Sequence, residues 1–320
     1  MVPQSLLASR PVADFLSHVA LAPRQAHKSM TLWPLLSPLA VSSVRGPAYI
    51  PLTDALAAGA LVVDEVSEHG SVPHVRVTNR GKCAVLVLFG EELRGAKQNR
   101  VANASFLIGA KSEAVIDVSC VEQGRWSRRE GARFEAGLGV VSSRMRSRMQ
   151  ADVSEARAAG QGFRADQSAV WREVDELVSY SRVSSPTNAY ADYYASRSGD
   201  VEEVCKAFRA VPHQVGFIAA TGDAVVGLEA IGRPEVFERV FDRLLRAYAI
   251  DAVDAGVSLR AERPHARFDS PESFVAALCS ASAMSSPSLG LGVDLRLAGE
   301  GVSGCGLAAD DLVHLTAFAE

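Results

Sequence analysis

Between Thr31 and Trp126 the chain is cut into short, Val-rich runs whose connections are too brief to carry a parallel return. Strands are expected over residues 61–66, 74–78, 84–89, 105–108 and 115–122, separated by turn-forming runs such as Glu68-His69-Gly70 and Asn79-Arg80-Gly81. A parallel crossover needs about a dozen residues or more, so this spacing dictates mostly antiparallel pairing. His74 and Arg76 alternate with Val75 and Val77, the period-two signature of a half-buried strand. A short helix is expected over 54–58, with Thr53 as its cap and Gly59 as its stop.

After Trp126 the chain turns Ala-, Arg- and Ser-rich, and residues 127–182 read as helices interrupted at Gly160-Gln161-Gly162. The clearest of them, over 166–179, lines up Val170, Val174, Leu177 and Val178, with Trp171 beside the stripe. A loop is expected over 184–200, with Tyr190, Tyr193 and Tyr194 anchoring it and Asp200 capping the next helix. A hairpin over 214–220 and 224–231 turns at Thr221-Gly222-Asp223, and helices begin at Pro234 and Ser270. The tail from Leu289 to Phe318 reads as two or three strands turning at Gly299-Glu300-Gly301. Strands at both ends with helices between them make the class α+β. Its order is a mostly antiparallel N-terminal β region, a helical middle, a β-hairpin with helices, and a short β tail. The division expected is an N-terminal preamble over 1–30, an α+β domain over 31–253, and an α/β tail over 254–320 packed on it.

The 320 residues carry 33 basic and 37 acidic side chains, a net charge of −4, which argues against a nucleic-acid binder that relies on bulk charge. There is no run of about 18 apolar residues to span a membrane, and no basic-then-apolar leader. The five cysteines are widely spaced with no C-x-x-C, so neither a disulfide framework nor a zinc ribbon is expected. These features fit a reducing, cytoplasmic setting, and a homo-oligomer is compatible with them. No cofactor or metal is specified by any motif; a hard-cation site on Glu91, Glu92 and Glu122 is the one alternative the carboxylates raise.

Two segments carry chemistry. FGEELRGAKQNRVANAS, 89–105, places glycines, carboxylates, amides and cations directly after an apolar strand. Lys97 and Arg100 are suited to hold an anion, and Gln98, Asn99 and Asn103 to read hydroxyls or amides; the rival reading is a solvated loop whose charges pair among themselves. VIDVSCVEQGRW, 115–126, puts Ile116, Val118, Cys120 and Glu122 on one strand face. Cys120 then reads as a core thiol before a nucleophile. Glu122 is either an ion-paired support or an acid/base, and Arg125 and Trp126 follow as an anion clamp and a stacking ring. Glu92 and Glu122 are the catalytic candidates; Lys97, Gln98, Asn99, Arg100, Asn103, Arg125 and Trp126 are the ligand-binding ones. Strand 115–122 is expected beside 84–89, so that the polar blocks meet at one sheet end. The arginines 125, 128, 129, 133, 144, 146 and 148 read as a solvated helix face.

GEELRGAKQNR and SCVEQGRW, with DQSAVW (166–171) and HQVGF (213–217) downstream, resemble the signature blocks of a prokaryotic family. That family is named for its association with ADP-ribosylglycohydrolases and rhodanese-phosphatases. The resemblance runs from about Leu32 to Ala252. It implies genomic company with enzymes that process ADP-ribose derivatives, and no particular reaction. A small nucleotide-derived ligand, ADP-ribose or a relative, is therefore the partner expected, bound for processing; the alternative is a non-catalytic sensor or a scaffold or oligomerisation protein beside an ADP-ribose-processing enzyme.

Overall fold

The computed structural model describes residues 4–37, 45–127, 133–257 and 267–320. The chain divides into two compact units. One gathers both chain ends (Met1–Pro47, Asp200–Ser288 and Gly292–Glu320); the other comprises Ala48–Gly199 with Leu289–Leu291. This division does not follow the linear one read from the sequence, because strands from the N-terminal segment, the hairpin and the tail share one sheet.

That sheet, in the first unit, is antiparallel and nine-stranded. From Met30–Leu36 to the far edge its strands run in the order Met30–Leu36, Gln214–Thr221, Ala224–Ile231, Asp311–Ala319, Val302–Ala309, Val293–Gly299 and Ser282–Pro287. One face buries Ile218, Leu228, Leu295 and Leu315 with Val12, Leu16, Phe274 and Leu278 from helices Gln4–His18 and Pro271–Ser280. On the other, Phe217 meets Phe237, Phe241 and Tyr248 of helix Pro234–Val257, edge to face. Glu229, wholly buried there, accepts hydrogen bonds from Tyr248 Oη (2.9 Å) and Thr316 Oγ1 (2.8 Å), so its carboxyl group is not left without partners.

The second unit holds a three-stranded and a six-stranded sheet. The six run Phe134–Val140, Glu91–Gly95, Arg100–Ala102, Ser112–Cys120, His74–Asn79 and Leu61–Glu65, all antiparallel. The three are Phe106–Ile108, Ala84–Val87 and Tyr49–Pro51, and here the last pair is parallel. More than thirty residues separate Tyr49 from Ala84, long enough for a parallel return. Val75, Val77, Val85, Leu93, Phe106, Ile116 and Phe163 form the core of this unit. Among the described residues no helix is long and apolar enough to cross a membrane.

Several local expectations change. Helix Leu52–Ala57 starts earlier than read, so Thr53 lies inside it and Pro51 precedes it without a side-chain cap. Phe134–Val140 is a strand within the stretch read as helical; its Gly137 leaves room for Glu92, whose Oε2 would lie 2.2 Å from a Cβ there. Tyr190–Cys205 is a helix where a loop was expected, because Tyr190, Tyr193 and Tyr194 are spaced to make a buried stripe. The basic stretch is not a uniformly solvated face: Arg146 is wholly buried and donates from Nε to Val141 O at 3.2 Å. Arg128 and Arg129 lie outside the described residues.

Asn79 fastens two turns of this unit together. Its Nδ2 donates to Cys83 O (2.9 Å), Ile108 O (3.1 Å) and Gly109 O (2.8 Å), and its Oδ1 accepts the Gly81 N–H at 2.8 Å. Removing a buried partner strands the groups it served, at about 1–3 kcal/mol. Asn79→Ala should therefore lower unfolding free energy by about 2–3 kcal/mol in a denaturant titration. A loss under about 0.5 kcal/mol, the range of a surface substitution, would contradict this role.

Candidate functional site

The two polar blocks do meet, although not by the route expected. Ser112–Cys120 pairs with His74–Asn79 and with Arg100–Ala102, not with Ala84–Val87. Cys120 is the cross-strand partner of Arg100. The chain turns back between Glu91–Gly95 and Arg100–Ala102 through Gly95, at φ +117°, where a Cβ would stand 2.4 Å from Arg133 O.

Glu122 then pins the turn. Its carboxylate accepts Arg125 Nε (2.8 Å) and Nη2 (2.7 Å), the Asn99 N–H (3.0 Å) and the Thr187 hydroxyl (2.9 Å). Arg125 is equally committed, donating from Nη1 to Ala96 O at 2.8 Å and from Nη2 to Asn99 Oδ1 at 3.3 Å. Gly124 lies flat against the other segment, donating to Thr187 O at 2.8 Å, and a Cβ there would come within 2.9 Å of Thr187 Cα.

Arg100 behaves differently. It is fully buried; Nη1 donates to Gln98 Oε1 at 3.0 Å, and the Cys120 sulfur is a further side-chain hydrogen-bond partner. Nε and Nη2 find no hydrogen-bond acceptor among the described residues. Those two nitrogens form the edge with which Arg125 grips Glu122 and Arg296 grips Asp294, the latter at 2.8 Å twice. On Arg100 the same fork meets no carboxylate among the described residues. The indole of Trp126 covers the guanidinium at 5.6 Å and carries Lys97 Nζ at 5.3 Å; Trp126 itself is 46% exposed.

The Cys120 thiol lies beside Arg100, 3.1 Å from both Gln98 Oε1 and Glu122 O. Burial pushes the thiol pKa up, opposed by the Arg100 charge. Burial likewise lowers the Arg100 pKa, opposed by Cys120 and Glu65. Gln167 clamps the Cys120 backbone at both ends, accepting its N–H at 2.7 Å and donating to its carbonyl at 2.8 Å. Trp171, one helical turn later on the same helix face, brings its side chain to the Cys120 sulfur. Glu65 Oε1 accepts the Lys97 N–H at 3.2 Å, and its Oε2 has no hydrogen-bond partner among the described residues. Gly70 lets the niche wall close: a Cβ would stand 3.0 Å from Lys97 Cδ and 3.1 Å from Glu65 Oε2.

Thus Lys97, Gln98, Arg100 and Trp126 gather with Cys120, while Asn99, Glu122 and Arg125 form the adjoining clamp. Asn103 lies elsewhere, donating to Phe163 O at 2.9 Å and accepting the Ser119 hydroxyl at 2.8 Å. Glu92 pairs with Arg94 at 2.7 Å and sits opposite Val101, so the pleat sends it to the face away from Arg100. Among the described residues no three His, Cys, Asp or Glu side chains group to hold a metal, so the Glu91, Glu92 and Glu122 alternative finds no convergent cluster. Sequence reasoning missed Glu65 and the contacts of Gln167 and Trp171. The i, i+4 spacing within DQSAVW places the latter two on one helix face and was the available signal.

The carboxyl of Glu122 titrates below its ordinary range: burial alone would raise it, but Arg125, the Asn99 N–H and the Thr187 hydroxyl outweigh burial. A depressed folded-state pKa gives stability that is present above the unfolded value, about 4.3, and is lost as pH falls through the folded value. Denaturant unfolding of wild type should show this acid-side loss; Glu122→Gln should be less stable at pH 7 and show a shallower decline below about pH 4.3. Equal slopes in the two proteins would contradict the clamp.

A family model described as ARG and Rhodanese-Phosphatase-superfamily-associated Protein domain, ARPP-1, matches residues 18–318. Comparison with curated proteins and with solved structures finds no match. The family match covers nearly the whole chain and takes in every residue of the niche and its clamp; the chain belongs to the ARPP-1 family.

Proposed function

We propose that the niche around Arg100 binds the anionic part of a nucleotide-derived small molecule, of the ADP-ribose class. The observation that carries this reading is the fully buried guanidinium whose Nε–Nη2 fork lacks an acceptor among the described residues. Buried charges are ordinarily paired, and such a fork matches the spacing of two phosphate or carboxylate oxygens. Lys97 adds a second cation at the mouth, and the exposed edge of Trp126 offers a surface for a ring to stack on. Glu65 Oε2 supplies an acceptor for a sugar hydroxyl, so the niche offers both halves of a phosphorylated sugar a partner. The family's association with ADP-ribosylglycohydrolases supports the same class of ligand.

In this reading Asn99 and Arg125 are positioning residues, because their polar groups are spent on holding Glu122 and the turn. Asn103 braces the chain at Phe163. Glu122, ionised and saturated with donors, is poorly placed to give or take a proton, and Glu92 lies on the other face. Both therefore serve as supports, which favours binding over processing at this niche, as in a sensor that works beside a partner enzyme.

Calorimetry with ADP-ribose tests the assignment. Wild type should bind, and Arg100→Lys should weaken binding by about 1.5–3 kcal/mol, since an ammonium cannot reproduce the fork. Trp126→Ala, at a half-exposed position, should fold and also bind more weakly. Unchanged affinity in both variants, or no binding by wild type, would overturn the reading.

A further inference from the structure

A second constellation in the same unit is independent of the Arg100 niche. Ser71 and His74 close a turn, with the His74 N–H reaching Ser71 O at 3.5 Å. Ser71 Oγ lies 3.1 Å from His74 Nδ1, and His74 Nε2 lies 3.1 Å from Asp117 Oδ1 on the neighbouring strand. A carboxylate only accepts, so Asp117 selects the tautomer with hydrogen on Nε2. Nδ1 is then left with its lone pair toward the serine hydroxyl.

Asp117 is itself held in place. Its Oδ2 accepts the Phe163 N–H at 2.7 Å, and Gly162, at φ +77°, lets that loop close to within 3.1 Å of the same oxygen. The His74 side chain is 43% exposed while that of Asp117 is 11% exposed, so a buried orienting group sits behind a base that solvent can reach. Asp117 also lines a cavity of about 160 Å³, together with Val72 and Pro73, the two residues between Ser71 and His74, and with Asn103, Arg164 and Gln167. A contact between Ser71 and His74 alone would be a turn device. The cross-strand carboxylate and the cavity are not part of a turn.

We propose that Ser71, His74 and Asp117 act as nucleophile, base and orienting carboxylate in the hydrolysis of short-chain carboxylic esters. Drug-sized ligand pockets run to about 300–1,000 Å³, so this cavity suits an acetyl-sized acyl group. Ser71 Oγ attacks the ester carbonyl carbon as its proton passes to His74 Nδ1. The bond from carbon to the alcohol oxygen then breaks, and that oxygen takes the proton from His74. Water attacks the acyl carbon of the acyl-serine and gives a proton to His74. The Oγ–carbon bond breaks, the carboxylic acid leaves, and Ser71 recovers its proton. Ester and water become acid and alcohol, with no other reactant.

The test uses the full chain with a fluorophosphonate probe and peptide mapping, alongside hydrolysis of p-nitrophenyl acetate and p-nitrophenyl octanoate. Wild type should be modified at Ser71 in one-to-one stoichiometry and should prefer the acetate. Ser71→Ala should lose the label, and His74→Gln should slow labelling by at least about 100-fold, the low end for loss of a general base. Melting curves check that both variants fold. Failure of the probe to modify Ser71 in folded wild type overturns the proposal, as does equal labelling of Ser71 in His74→Gln.

Discussion

The Glu122 carboxylate is the knot on which the second unit's polar architecture depends. It draws together three stretches of chain that are distant in sequence: the turn at Asn99, its own segment through Arg125, and Thr187. The energetic logic favours keeping the whole set. Breaking a buried ion pair by removing one partner leaves an uncompensated charge and costs about 3–5 kcal/mol, whereas the intact pair contributes little net stability. The clamp therefore acts as a specifier of geometry: it fixes where Gln98 and Arg100 emerge from the turn.

That geometry sets Arg100 apart from Arg125 and Arg296. Arg296 is as deeply buried, but Asp294 closes its fork, and Arg125 spends its fork on Glu122. Arg100 gains one hydrogen bond from Gln98 and the π face of Trp126, neither of which replaces a bidentate oxyanion. Placing a guanidinium in such surroundings is costly in the free protein. In the proposed function an anionic ligand would offset that cost on binding, which is the physical basis of that proposal. The Cys120 thiol, raised by burial, stays protonated and donates a hydrogen bond, a packing role that matches its position on an apolar strand face.

Much of the fold could be read from local chemistry. The hairpin at Thr221-Gly222-Asp223 and the helix starting at Ser270 follow turn and capping rules that need no tertiary context. Phe134–Val140 escaped such reading because its Ala- and Gly-containing sequence is selected by the close approach of Glu92. Helix Tyr190–Cys205 was hidden by small and polar residues, although its tyrosines carry the helical spacing. The polar blocks themselves were legible, since glycines, amides and cations crowd behind an apolar strand. Which member of the set is spent on structure was not: Arg100 and Arg125 look equivalent in sequence, and only the pairing partners separate them. His74 and Asp117 were equally opaque, because the strand register that faces one with the other is a long-range fact.

The central claim is that Arg100 presents a buried fork to an anionic ligand. Nitrogen-resolved NMR of side-chain N–H groups during titration with ADP-ribose reads that fork directly. The Arg100 Nε–H and the Trp171 indole N–H should shift together and saturate. The indole N–H of Trp33, on the sheet of the other unit, should stay in place. An Arg100 resonance that remains unmoved while ligand binding saturates elsewhere would contradict the account.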